Sequence, residues 1–195
     1  MATGVPPPIH RRLHVPPARS PLDGGDARPG KGVLNNASPL FLASMTGDRE
    51  NLALLLKSGA DPNRRMSLLG TTPTSPLFVA VDFGDPAVVK LLLDEGANIR
   101  EKDDDGMTAL DWAVVAHRAE AAQVLLAGGA DVNAVDRFGY TPLEYATTID
   151  FGDAATAAAL LGAGADPNIK DKTGKTALQQ ARNFPYLRAI LEKAR

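Results

Sequence analysis

The sequence predicts an all-α solenoid of about five stacked helix-turn-helix units that are joined by short β-hairpins. One block recurs along the chain: a Ser or Thr, often followed by Pro, then a Leu and an Ala three residues after that Leu. Its copies begin at Ser38, Ser75, Thr108, Thr141 and Thr176. The steps between these starts are 37, 33, 33 and 35 residues. Such a period is typical of stacked supersecondary units rather than of a single globular core.

Each copy of this block predicts the start of a first helix. The Ser or Thr hydroxyl can accept a hydrogen bond from a free backbone N–H of the first turn. Proline suits the first helical position, where a missing N–H costs nothing, and it occurs there as Pro39, Pro76 and Pro142. The Leu and the Ala one turn later predict an apolar stripe that faces the neighbouring units.

A second helix follows in each of the first four units. Apolar residues recur there at i, i+3 and i+4, which indicates a buried helical face. The sets are Leu52/Leu55/Leu56, Val89/Leu92/Leu93, Ala122/Leu125/Leu126 and Ala157/Leu160/Leu161. We expect a glycine in the left-handed conformation to end each of these helices. The four glycines are Gly59, Gly96, Gly129 and Gly164.

The pattern D-x-x-G-x-T connects one unit to the next over residues 103–108, 136–141 and 171–176. An Asp start and a glycine with positive φ predict a tight turn, and hence a projecting hairpin. With these three patterns in one register, the chain resembles the ankyrin-repeat family over about residues 33 to 195. The resemblance implies stacked helix pairs whose surface binds other proteins.

The repeats divide the chain into two parts. Residues 1–32 are rich in Pro and Gly and predict a disordered tail. The ankyrin-like part, 33–195, divides into units of about 33–63, 64–100, 101–133, 134–168 and 169–195. The tail has more basic than acidic residues, so it could suit an acidic partner, or it could simply be solvated. Two connections are longer than the others, one at 64–74 and one near 150–152.

The chain departs from the family motif T-P-L-H-x-A at the histidine. The residues at that position are Phe41, Phe78, Asp111, Glu144 and Gln179. The hydrogen bonds that the histidine makes to the neighbouring loops in the family must therefore come from other residues or be lost.

Two segments imitate ligand motifs, and a single histidine stands within the repeats. Gly174-Lys175-Thr176 resembles the end of a P-loop, but Ile169 stands where that motif needs its first glycine. Residues 101–106 resemble the start of a calcium loop, but Trp112 occupies the position of the bidentate Glu. His117 falls between two predicted helices and is expected to be a solvated loop residue. We therefore expect no catalytic, metal or cofactor site.

The sequence favours a non-catalytic interaction module or scaffold that binds a partner protein not yet identified. A regulatory subunit or inhibitor of a specific enzyme is the alternative, and a minor enzyme is the least favoured. The net charge of −2 and the lack of a Lys/Arg cluster in the repeats argue against nucleic acid. Without a secretion signal or a long apolar segment, we expect no membrane partner and a monomeric, soluble, cytoplasmic protein. The absence of cysteine excludes disulfides.

The resemblance places the partner-binding positions at the hairpin tips and on the exposed side of the first helices. Carried over through the repeat register, they are Met45, Thr46, Asp82, Phe83, Asp104, Asp105, Met107, Val115, Arg137, Phe138, Tyr140, Thr148, Ile149, Lys172 and Lys175. We expect Phe83, Met107, Phe138, Tyr140 and Ile149 to form the apolar part, because large apolar groups often dominate binding energy. In the alternative interpretation, Phe138 and Tyr140 pack against adjacent hairpins.

Overall fold

A computed structural model describes residues 38–66, 74–83, 85–148 and 154–193. Three sequence predictions fall outside these ranges. They concern the N-terminal tail at 1–32, most of the long connection at 64–74, and the extra residues near 150–152. Ile149, one of the predicted binding residues, also lies outside the described residues.

The described residues form successive pairs of helices, and each pair consists of a first and a second helix. The pairs are α1 Pro39–Thr46 with α2 Arg49–Lys57, α3 Pro76–Phe83 with α4 Pro86–Asp94, α5 Ala109–Val115 with α6 Ala119–Ala127, α7 Pro142–Thr148 with α8 Ala154–Gly162, and α9 Ala177–Gln180 with α10 Pro185–Lys193. A 3₁₀ helix, Ala181–Asn183, links the last two.

First helices pack on first helices in chain order, from α1 through α3, α5 and α7 to α9. The second helices follow the same order, with α2 on α4, α4 on α6, and α8 on α10. One continuous hydrophobic cluster runs from Leu40 in α1 to Leu191 in α10. The predicted all-helical repeat fold is therefore confirmed. Isolated bridges such as Lys102 with Thr108, and Lys170 with Thr176, mark the short hairpins between units.

The first helices begin mostly as the sequence predicts. The side-chain oxygens of Ser38, Thr108 and Thr141 each accept a hydrogen bond from the backbone N–H three residues later, at 3.2 to 3.3 Å. The predicted cap at Ser75 is wrong, because its buried hydroxyl has no hydrogen-bond partner. The first turn of α3 is held there by the backbone bond from Val79 N–H to the Ser75 carbonyl at 3.2 Å.

The second helices end at the four predicted glycines, whose φ angles lie between 88° and 93°. In the first unit, Ala60 N–H reaches back to the Leu55 carbonyl and Gly59 N–H to the Leu56 carbonyl, both at 3.0 Å. The other three glycines repeat this pair of bonds. Both bonds satisfy carbonyl groups that the end of a helix leaves free. The predicted left-handed glycines are confirmed.

Burial follows the predicted stripes. The motif leucines of the first four units are at most 4% exposed, whereas Leu178 in the last unit is half-buried. This difference fits a terminal unit, which has a neighbour on one side within the described residues. His117 is exposed between α5 and α6, as predicted, and its φ of 56° is left-handed.

Candidate partner-binding face

An aspartate builds each of the three D-x-x-G-x-T hairpins. One oxygen of Asp103, Asp136 and Asp171 accepts hydrogen bonds from the backbone N–H groups two and four residues later, at 2.7 to 3.0 Å. The glycine of each hairpin has a φ between 80° and 84°. The predicted role of these aspartates and glycines in tight turns is confirmed.

The second oxygen of the same aspartates ties each hairpin to the first helix of its own unit. Asp103 Oδ2 accepts from Trp112 Nε1 at 2.9 Å, and Asp136 Oδ2 accepts from the Tyr145 hydroxyl at 2.6 Å. In the last unit, Gln180 Nε2 donates to Asp171 Oδ2 at 2.8 Å. Each hairpin is thus held by a side chain of a first helix.

Neighbouring hairpins are also joined to each other. Arg137 N–H donates to the Asp105 carbonyl at 2.9 Å, and Lys172 N–H donates to the Phe138 carbonyl at 3.0 Å. The Arg137 guanidinium also forms an ion pair with the Asp105 carboxylate. The three hairpins therefore form a connected row whose spacing is set by backbone hydrogen bonds.

Most of the predicted binding residues lie at the surface along this row or at the ends of the first helices. The exposed ones are Thr46, Phe83, Asp104, Arg137, Thr148, Lys172 and Lys175. Met45, Asp82, Asp105 and Phe138 are half-buried. Phe83 ends α3 with 40% of its surface exposed. The Arg137 guanidinium lies 4.6 Å from the centre of the Phe138 ring and covers part of it.

The expectation of exposure is wrong for three predicted binding residues. Met107, Val115 and Tyr140 are only 3%, 7% and 6% exposed and belong to the hydrophobic cluster. The Tyr140 ring packs against Tyr145, with the ring centres 5.5 Å apart. Phe138 also packs against the cluster, though only partly. In the alternative interpretation Phe138 and Tyr140 pack against adjacent hairpins, whereas the ring contact of Tyr140 is with Tyr145 in α7 of its own unit.

Sequence reasoning missed two exposed residues on the same face. Val135 is 43% exposed immediately before the buried Asp136, and alternation along the hairpin strand is the signal that could have found it. Lys102 is exposed and donates through Nζ to the Val135 carbonyl at 2.9 Å. Arg65, at the start of the long connection, forms an ion pair with Glu101 at 3.2 Å.

A protein-family model for ankyrin repeats matches residues 40–136 and 77–171. The chain belongs to the ankyrin-repeat family. A search of curated proteins finds none that matches this chain. Ankyrin-repeat domains generally act as protein-protein interaction modules and are typically not catalytic.

In the last three units, the histidine of the ankyrin motif is replaced by groups that cap their own helix. Asp111 Oδ2 accepts the Thr108 N–H at 2.7 Å, and Glu144 Oε2 accepts the Thr141 N–H at 2.9 Å. The amide oxygen of Gln179 does the same at 3.0 Å for the Thr that begins α9. In the last three units the replacing side chain thus satisfies a free N–H at the start of its own first helix.

Among the residues that the structure describes, no three His, Cys, Asp or Glu side chains are placed to hold a metal ion. Within the same residues, no helix has the length and apolar character that a membrane span requires. Asp103, which the calcium-like segment contains, already uses both oxygens in the hairpin. Gly174 of the P-loop-like triplet lies at the turn of the last hairpin.

Proposed function

We propose that this protein is a non-catalytic interaction module or scaffold that binds a partner protein along its hairpin row and the adjoining ends of the first helices. The observation that carries the proposal is the connected row of hairpins. Backbone hydrogen bonds from Arg137 to Asp105 and from Lys172 to Phe138 fix the spacing of exposed side chains in three units. A preorganised surface loses little conformational entropy when it binds.

The chemistry of this face suits a partner with both apolar and charged groups. Val135 and Phe83 are exposed large apolar residues, at 43% and 40%, and Lys172 and Lys175 are exposed cations. Arg137 combines a charge with a planar group that stacks on Phe138. Aromatic and Arg side chains are enriched at interfaces, and a few of them usually carry most of the binding energy.

The test begins with affinity purification and mass spectrometry of bound proteins. The affinity for the recovered partner is then measured for Phe83→Ser/Val135→Ser. We expect a loss of about 2 kcal/mol or more, which is roughly 30-fold. Leu54→Ser is the matched control, because Leu54 is 65% exposed but lies on α2, a second helix away from the hairpins.

An unchanged affinity of the folded double variant, with a loss in Leu54→Ser, would move the contact to the second helices. Tyr140 is unsuitable for this test because its burial makes Tyr140→Ala a stability variant. If the recovered partner is an enzyme whose turnover changes when this protein is added, the narrower function is that of a regulatory subunit or inhibitor.

A further inference from the structure

Two carboxyl groups are buried in the middle of the stack, at the starts of α5 and α7. Asp111 is 0% exposed and Glu144 is 1% exposed. Each caps its helix through one oxygen only. Asp111 Oδ2 accepts both the N–H and the hydroxyl of Thr108 at 2.7 Å, and Glu144 Oε2 accepts the N–H of Thr141 at 2.9 Å.

The other oxygens, Asp111 Oδ1 and Glu144 Oε1, are buried and have no hydrogen-bond partner. An ionised carboxylate with an unsatisfied oxygen is costly in a protein interior, whereas a protonated carboxyl has no net charge to desolvate. The geometry of both groups therefore favours the protonated form.

The charged groups around the pair also favour protonation. Asp103 and Asp136 act on Asp111, and Asp136 and Asp171 act on Glu144, in each case as like charges. Every one of these neighbours belongs to a hairpin beside the pair. The carboxyls thus lie in a row of acidic groups that runs through the third, fourth and fifth units.

The helices packed against α5 and α7 offer no compensating cation. These are α3, α6, α8 and α9, and their only charged side chains are Asp82 and Glu120. Glu120 is exposed, and Asp82 is on the last turn of α3, where Arg118 donates to its carbonyl at 3.0 and 2.7 Å.

Asp171, in the same row, is a carboxylate whose two oxygens both accept hydrogen bonds. Burial opposes its ionisation, but hydrogen bonds from Thr173, Lys175 and Gln180 together lower its pKa below the usual value. For Asp111 and Glu144, desolvation by burial dominates, the threonine hydrogen bonds oppose it only partly, and the pKa rises to about 7 in both.

We propose that Asp111 and Glu144 form a pH-sensitive switch at two successive contacts between repeats, which stabilises the stack when both carboxyls are protonated and destabilises it as they ionise. Asp111 lies beside Asp136 of the fourth unit's hairpin, and Glu144 lies beside Asp171 of the fifth unit's hairpin, so the two groups lie at successive contacts between repeats. The stability of a repeat protein depends on such contacts between neighbours. The protonation of two carboxyls at these contacts can therefore change the stability of the whole stack.

The direction of the pH effect follows from the two pKa values. Each group has an ordinary pKa of 3.8 or 4.5 and a raised pKa of about 7 when folded. Its stabilisation is complete below the ordinary pKa and is lost as the pH rises through about 7. Between the ordinary and the raised pKa, the folded state holds a proton that the unfolded state has released. The unfolding constant therefore rises by up to about tenfold per pH unit for each group.

The first test is urea denaturation of the whole protein at pH 5, 6, 7 and 8, followed by the fluorescence of Trp112, the single tryptophan. We expect the unfolding constant to rise at least about tenfold from pH 5 to pH 7 and then to level off. The isosteric double variant Asp111→Asn/Glu144→Gln should remove most of this rise. Glu120→Gln, an exposed acid on α6, should keep it.

The second test uses only the unmodified protein, so it does not require any variant to fold. Carbon-13 NMR of the side-chain carboxyls in the unmodified protein should show two buried groups that titrate near pH 7, assigned to Asp111 and Glu144. Midpoints below about pH 5 for both groups would overturn the proposal. A rise in the unfolding constant that the folded double variant retains in full would overturn it as well.

Discussion

Replacing Gly139 by alanine would push a methyl group into the hairpin of the next unit. A Cβ at this position would lie 2.9 Å from the Lys172 nitrogen and 3.1 Å from the Asp171 Cα, both backbone atoms. Gly174 occupies the same place in the last hairpin with a similar φ, 80° against 84°. A Cβ at Gly174 meets nothing within 4 Å. The main difference between the two glycines is therefore that a neighbouring hairpin lies against Gly139 and none of the described hairpins lies against Gly174.

The expected magnitudes follow from this difference. Alanine in the left-handed conformation costs about 1 to 2 kcal/mol, and both variants carry that cost. Only Gly139→Ala also forces the next hairpin to move, which costs about 1 to 3 kcal/mol. The movement strains the hydrogen bond from Lys172 N–H to the Phe138 carbonyl, which is worth about 1 kcal/mol. We therefore expect a loss of about 3 to 6 kcal/mol for Gly139→Ala and about 1 to 2 kcal/mol for Gly174→Ala.

Urea denaturation followed by circular dichroism at 222 nm would measure both losses. Gly106→Ala provides a second test of the same contact, because its Cβ would lie 3.0 Å from the Arg137 nitrogen. The loss of stability in Gly106→Ala should be similar to the loss in Gly139→Ala. Losses that agree within about 0.5 kcal/mol for Gly139 and Gly174 would show that the hairpins are not held at this spacing in solution, and would remove the main support for a preorganised binding face.

Three further predictions concern other parts of the chain. Leu110→Ala should destabilise by about 2 to 5 kcal/mol, because Leu110 is 1% exposed in a helix packed between two others, while Lys172→Ala should cost under about 0.5 kcal/mol in the same denaturation assay; equal losses would contradict the repeat register. Arg100→Asn should raise the unfolding free energy by about 0.5 to 1 kcal/mol, because Asn at this position in the first and third units bridges to the next unit through its side chain, and no gain would mean that the bridge is neutral. Deleting residues 1–30 should leave the melting transition nearly unchanged, and a loss above about 2 kcal/mol would show that this segment packs on the repeats.

Much of the fold could be predicted because each unit repeats the same local chemistry. The threonine caps, the prolines at the first helical position and the glycines that end the second helices act within a few residues of the chain, so their spacing alone locates the helices. Ser75 is the exception among the caps. It has the same residue type and position as Ser38, yet its hydroxyl is buried and unpaired, which the sequence motif does not indicate.

The candidate site was predicted less completely, because exposure depends on residues about one repeat away. Met107 and Tyr140 stand in hairpins, where large side chains were expected to project, but they belong to the hydrophobic cluster. Val135 reaches the surface instead. The side of a hairpin that faces the stack is set by contacts with the helices and with the next hairpin, and the motif does not encode this direction.

The sequence by itself determined the repeat family, the register and the ends of most helices, because these follow from hydrogen bonds and apolar spacing within one unit. Only the tertiary structure decided how the units meet. It joined the hairpins into one row, and it buried Asp111 and Glu144 in the position of the family's histidine, beside the aspartates of neighbouring hairpins. Burial and the field of distant charges are properties of the assembled stack, so no local pattern could have revealed the raised pKa of these two groups.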